Sequence, residues 1–162
     1  MARKNAFNVE FIGVDKYIKD LKKMERNVEP ILIEEYTKYG MLVEEGTKAL
    51  VHHDHGDLED SINFQKAQKS GTGVIVEGGS NSDYALRRHE EPYRPGIHDK
   101  YERGRHSPGY YIEGLGAGTR GKPMWRGYRP GRKYLENAIK ATEPDYKKMN
   151  DKAIDRILRS KS

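Results

Sequence analysis

The sequence predicts an α+β fold: a small antiparallel sheet packed against a long N-terminal helix (or helix pair) and a C-terminal helix, with a long Gly/Pro/Tyr-rich basic loop. Three observations predict it. Apolar residues recur at three- and four-residue steps over positions 14–50, the period of a helix lying on a core. The period shortens to two over 61–79, vanishes over 91–131, and becomes helical again at 132. Helices grouped at the two ends, rather than alternating with strands, argue for α+β.

The elements follow in order. Residues 7–13, "FNVEFIG", alternate Phe7, Val9 and Phe11 with polar neighbours and read as a short strand. Val14, Tyr17, Ile18, Leu21 and Met24 mark an amphipathic helix over 14–26. Pro30 suits the first turn of a second helix, whose stripe is Leu32, Tyr36, Tyr39, Val43, Thr47 and Leu50. Glu34, Glu35, Lys38, Glu44, Glu45 and Lys48 are expected to face water. Segments 61–67 and 73–79 read as strands of a hairpin, joined through "QKSGTG". A short segment, 83–91, precedes the aperiodic stretch. "RKYLENAIKA" (132–141) sets Tyr134, Leu135, Ala138 and Ile139 on one side of a helix. Pro144 is expected to interrupt it, which divides a domain over 1–143 from a basic helix or arm over 144–162. The apolar positions of that last helix are Tyr146, Met149, Ala153, Ile154, Ile157 and Leu158.

Composition narrows the possible functions. Apolar residues make up 35% of the 162 and charged residues 34%, a thin core for this length. The net charge of +5 favours acidic partners. With no cysteine there is neither a disulfide framework nor a thiolate zinc site. Apolar runs such as "ILI" at 31–33 are far too short to span a membrane. The N-terminus has no apolar leader core, so a cytosol-like compartment is expected.

Chemistry concentrates in "VHHDHGDLEDSI" (51–62), with three histidines and four carboxylates. Consecutive residues cannot converge on one ion from a helix or strand. His52 and His55 have the three-residue spacing, however, and a turn brings Glu59 or Asp60 within range to close a site in the metal reading. The plainer reading is a helix exit. Gly56 then supplies the left-handed turn, and His52 and His53 lie in the last helical turn, where positive charge is favoured. "GLGAGTRGKP" (114–123) is Gly-rich and basic but lacks the flanking strand and helix of a phosphate loop, so a loop tip is expected. No nucleophile elbow, P-loop or dinucleotide fingerprint is present.

Three segments carry a resemblance. "HGDLEDSI" (55–62), with Gly56, Leu58, Ser61 and Ile62, is similar to the "TG-x-L-x-x-S-I" segment of tail-completion (head–tail joining) proteins of long-tailed, siphovirus-type bacteriophages. "DYALRRHEE" (83–91), with Tyr84, Ala85 and Glu90, resembles that family's "YA-x-x-x-HE" segment. "PGRKYLENAI" (130–139), with Tyr134, Leu135 and Ala138, resembles its closing "P-x-x-[FY]-L-x-x-A" helix. Two departures stand out. His55 replaces the family's threonine before the glycine, and the family's Gly-Thr is met only downstream, at Gly118-Thr119.

The resemblance implies a non-enzymatic virion protein, assembled in the host bacterial cytoplasm and placed at the phage neck. It implies a homo-oligomeric ring, with six as the natural copy number, around the DNA channel. Its partners would be the head connector or stopper and the tail terminator or tail tube, with genomic DNA passing through the lumen. Neither a cofactor nor a metal is expected, nor a membrane.

The residues themselves add the loop. Positions 87–133 hold twelve Lys/Arg against five Asp/Glu, with aromatics interspersed. Arg94, Arg103, Arg105, Tyr110, Tyr111, Arg120, Trp125, Arg126 and Arg129 are the candidate interface or lumen residues. Deletion of 95–128 is expected to prevent ring formation or neck attachment and to leave a folded monomer. The competing readings are a metal-dependent nuclease or phosphatase using His52, His55 and nearby carboxylates, and a nucleic-acid-binding module.

Overall fold

The computed structural model describes residues 14–90, 99–101, 105–106 and 117–160. The expected strand at 7–13, together with Arg94, Arg103, Tyr110 and Tyr111, lies outside them. The fold is α+β. Helix α1 (Val14–Leu50) has 37 residues and a length of about 55 Å. The chain then forms a short helix α2 (Asp57–Asp60), strands β1 (Ile62–Phe64), β2 (Gln68–Ser70), β3 (Gly73–Ile75) and β4 (Gly78–Ser80), and a helix α3 (Ala85–Glu90). Strands β5 (Asp99–Tyr101) and β6 (Arg105–His106), helix α4 (Ala117–Gly121) and helix α5 (Tyr134–Arg159) complete it. None of the described helices is long and apolar enough to cross a membrane.

Of the two N-terminal arrangements expected, the single long helix holds, and the break expected at Pro144 is absent. Helix α1 continues through Pro30, and α5 continues through Pro144. A proline inside a helix forfeits one backbone bond and crowds the preceding turn, at about 3 kcal/mol. At Pro144 that cost is opposed from both sides. Tyr39 Oη meets Thr142 Oγ1 at 3.2 Å before the proline. After it, the Tyr146 ring lies 5.3 Å from Tyr39 and 6.2 Å from Tyr36. Near its end, Arg156 reaches Glu34 and Glu35. Contacts that rise in number on one helix and fall on the other make α1 and α5 antiparallel.

Glu35, expected in water, is only 2% exposed. Burial alone would raise its pKa, but Lys152 at 3.1 Å and Arg156 more than offset this, and the net direction is down. Beside it, Arg156 and Lys38 hold the Glu34 carboxyl at about 2. A buried carboxylate with two cations is costly to break, because removing one partner strands the charge of the other.

The strands form one ribbon. β1 pairs with β4 and β2 with β3, both antiparallel, and the Gln65 amide donates to the Glu77 carbonyl at 2.7 Å between the two pairs. The register slips by one residue there, so Lys66 and Ala67 face Val76 alone. This is a β-bulge, which bends a strand and re-aims its side chains. The bend sets the ribbon on α1. Ala67 is buried and its amide donates to Thr37 Oγ1, while Val76 lies so close to Gly40 that a Cβ there would stand 2.8 Å from it. A two-residue turn, Gly71-Thr72, closes the ribbon, with Gly71 at φ +58. The hairpin expected from sequence is therefore present, kinked at its middle.

The core gathers at the end of α1. Leu50, Val51, Leu58, Ile62, Ala85, Tyr134 and Ala138 form one buried cluster, with Phe64, Trp125, Tyr128 and Leu135 against it. Several expected core positions instead face solvent. Ile139, Ile154 and Leu158 are exposed along α5, because α1 covers only one side of that helix, and Tyr84 before α3 is 45% exposed. The Trp125 ring lies on α1 at Gly46, where a Cβ would come within 2.5 Å of it.

Gly46→Ala therefore carries a sign test. Overpacking against the indole should lower unfolding free energy in urea by about 1–2 kcal/mol. In a Trp125→Ala background the same change should stabilise by up to about 1 kcal/mol, the ordinary helix preference for alanine.

Candidate functional site

The last carbonyls of a helix have no partners within it and must find them elsewhere. At the end of α1 they are found far along the chain. Lys122 Nζ donates to the Lys48 carbonyl at 2.6 Å and the Val51 carbonyl at 3.2 Å. The Gly131 amide donates to the Leu50 carbonyl at 2.7 Å. A cation at this end also complements the helix dipole. Lys122 then reaches Glu59 at 3.0 Å. Burial would raise the pKa of Glu59, yet Lys122 and His53 bring it down.

Thr119 fastens the next residues. Its hydroxyl accepts the His53 amide at 2.9 Å and donates to the His53 carbonyl at 3.2 Å, and the threonine itself is buried. Gly118 permits this approach, since a Cβ would lie 2.6 Å from the His53 carbonyl oxygen. "GTRGK" thus forms a clasp over the exit of α1, whereas a loop tip is expected from sequence. The reason is that helix ends demand donors, and this segment supplies them.

The three clustered histidines diverge. α1 ends at Leu50, so His52 and His53 follow the helix rather than occupying its last turn. His52 turns inward, edge-on to Tyr134 with ring centroids 6.4 Å apart. Burial, then Arg88 and Lys122, push its pKa down to about 4. His53 Nδ1 lies 3.3 Å from Glu59, and His55 lies 3.5 Å from Asp54 on the surface. Among the described residues, no three His, Cys, Asp or Glu side chains are grouped so as to hold a metal ion.

Gly56 has φ +100, the left-handed conformation expected of it, but six residues beyond α1. It opens α2 instead of closing α1. Leu58 and Ile62 then enter the core, and Ser61 between them donates to the Leu58 carbonyl at 2.7 Å and shares a hydrogen bond with Ser80. Tyr134 is buried, donates to the Ala85 carbonyl at 2.9 Å, and meets the His89 ring edge-on at 4.9 Å. Glu90 takes Lys133 at 2.5 Å and His89 at 2.7 Å, fixing the start of α5. Tyr84 and Glu90 are the motif residues exposed at the surface.

The candidate loop residues divide. Arg105 lies in β6, and Arg120 and Arg129 are on the surface. Trp125 and Arg126 are engaged within the chain. Trp125 and Tyr128 exchange both backbone hydrogen bonds at 2.9 Å across Arg126-Gly127, which have φ +47 and +87. The Arg126 guanidinium stacks 4.9 Å from the Trp125 ring and pairs with Asp145 of α5. Deletion of 95–128 would therefore remove Thr119, Lys122 and Trp125, which belong to the packed body. The expectation of a folded monomer after that deletion is corrected on this ground.

Sequence reasoning missed Glu35, Thr119 and Lys122. Glu35 had a signal, because it falls three residues after Leu32 and four before Tyr39, on the core stripe. The other two had none, since nothing local ties residue 122 to residue 48.

A scan against protein-family models finds no matching family, and neither the curated proteins nor the solved structures yield a match.

His52 sets a pH dependence. Its folded pKa of about 4 lies below the ordinary 6.5, so the unfolded chain takes the proton first. Its contribution is complete above about pH 6.5 and is lost as pH falls toward 4. Urea titrations at pH 7.5 and pH 5 should differ by about 2 kcal/mol, and His52→Gln should remove most of that difference. An unchanged difference in the variant would contradict the assignment.

Proposed function

We propose that this chain is a structural protein of the neck of a long-tailed bacteriophage. It assembles into a ring of six copies between the head connector or stopper and the tail terminator or tail tube. In this reading it is made in the host cytoplasm, ends in the virion, and leaves a lumen for the genome. Ring closure uses a heterologous contact, each copy presenting one surface to the next.

The observation that carries the reading is how the motif residues are used. Leu58, Ile62, Ala85, Tyr134 and Ala138 meet in one buried cluster, with Leu135 packed against it. Gly56 and Ser61 shape the turn that delivers two of them. Residues that carry the resemblance are thus spent on packing, which suits a rigid building block. The surface supports the same reading. Ile18, Leu21, Leu86, Ile139, Ile154 and Leu158 are large, apolar and exposed. Neighbouring subunits cover such surfaces in assemblies. Among the described cations of that stretch, Arg87, Arg120, Arg126, Arg129 and Arg132 are exposed, a basic surface suited to an acidic neighbour or to DNA phosphates.

Electron microscopy of the purified chain, alone and mixed with tail tubes or head connectors of a long-tailed phage, tests the proposal. Annular particles with a central channel, free or capping a tail or connector, are expected. The proposal fails if no annulus forms in any mixture. It fails equally if the chain cleaves DNA with a divalent cation and His55→Ala abolishes the cleavage.

A further inference from the structure

We infer that two copies of this chain pair through the N-terminal part of α1, each laid antiparallel along the other. The inference goes beyond the neck reading and does not rest on it. A two-fold contact closes on itself in a pair and leaves the rest of each body for a ring contact.

The pairing face continues an interface already in use within the chain. α5 packs on α1 through Tyr39, which meets Thr142 and Tyr146, and through Glu35, which takes Lys152 and Arg156. Counting back from Tyr39 in alternate steps of four and three gives Glu35, Leu32, Val28, Glu25, Leu21 and Ile18. Such spacing sets these residues in one line along the helix. α5 covers only part of that line. Arg156 is level with Glu34 and Glu35, and α5 ends three residues later at Arg159. It therefore stops level with about residue 31, and α1 runs on for about 25 Å to Val14. Val28 and Leu32, near the end of α5, are half-buried. Further out, Ile18 is 43% exposed and Leu21 57% exposed.

A second copy of the same helix segment fits this face in length, direction and charge. A helix laid along the line has about 25 Å before it meets the end of α5, and that is the length of 14–31 itself. Laid antiparallel, the second copy fills the gap. The start of its α1 then points at the C-terminal end of α5, a head-to-tail arrangement of helix dipoles. Laid parallel, its α1 would run on past residue 31 and meet α5, which already holds the face. Charge selects the same direction. The antiparallel pairing that sets Ile18 level with Val28 of the second copy brings Lys22 beside Glu25 of that copy. Parallel pairing in register would set Glu25 against Glu25, and like charges so placed repel. Lys19, Lys23 and Arg26, away from the line, are exposed and keep the outer face of the pair in water.

Two measurements on the full chain test this. In sedimentation velocity at up to hundreds of micromolar, the full chain should run as a dimer or a multiple of one. Leu21→Glu sets a carboxylate against Glu25 of the second copy and should halve that mass. Its far-ultraviolet dichroism and thermal midpoint should stay those of the full chain, because Leu21 lies outside the packed body. The second measurement is disulfide trapping, which the absence of native cysteine makes clean. Under oxidising conditions, Ile18→Cys mixed with Val28→Cys should give a linked pair holding one of each. Ile18→Cys alone should stay unlinked, since its two copies would stand about 15 Å apart along the axis. The inference is overturned by a monomeric full chain, by Leu21→Glu with the mass of the full chain, by Ile18→Cys linking to itself, or by a mixture that stays unlinked. A monomer that binds anionic vesicles, or caps tails, only with Leu21 intact would overturn it by giving the face to lipid or to a neck protein. The two proposals fail separately, because annuli on tails or connectors bear on the neck role alone.

Discussion

The exit of α1 is the constraint on which the rest of the molecule depends. A helix of 37 residues ends there with carbonyls that need donors, and the chain answers from three distant places. Lys122 caps Lys48 and Val51, Gly131 caps Leu50, and Thr119 holds both backbone groups of His53. The buried cluster is built around the same two residues, Leu50 and Val51. Hydrogen bonding and apolar burial therefore reinforce each other at one end of one helix. The histidines that look like chemistry in the sequence are neighbours of this junction, and each is drawn to a different side of it.

Away from the junction the interactions change character. Along α1 and α5, contact is made by Tyr36, Tyr39, Thr142, Tyr146 and the ion cluster on Glu35, not by a stripe of leucines. A hydrogen bond between two phenols adds to this, and the Tyr36 hydroxyl is pushed up to about 12 by that bond to Tyr146. A polar seam of this kind fixes the pairing of two helices at modest net stability. It also explains how so charged a chain holds a fold. Much of its remaining apolar surface faces outward, on α5 at Ile139, Ile154 and Leu158 and on α1 at Ile18 and Leu21. A monomer gains little from such surface, and an assembly gains more.

The sequence displayed the fold well wherever periodicity controls it. The stripe through Val43, Thr47 and Leu50, the hairpin around Gly71, and the seating of Tyr134 and Ala138 all follow from local spacing. It misled at Pro144, because a lost backbone bond weighs less than the contacts flanking that residue. It misled at Gly56, whose left-handed backbone was legible but which opens α2 rather than closing α1. The β-bulge at Lys66-Ala67 left no local mark, being set by the fit of Ala67 and Val76 onto Thr37 and Gly40. The clasp was illegible for a simpler reason. Lys122 and Thr119 find partners about seventy residues away, and no period in the sequence encodes that distance.

Native-state hydrogen exchange at the junction is the most direct test of this account. The amides of His53 and Gly131 are not part of any helix or sheet ladder, and ordinary loop amides exchange by small local openings. If the exit of α1 holds the body together, both should exchange only through global unfolding, with opening free energies equal to the stability measured in denaturant. Rapid exchange at His53 and Gly131, while the centres of α1 and α5 stay protected, would contradict it.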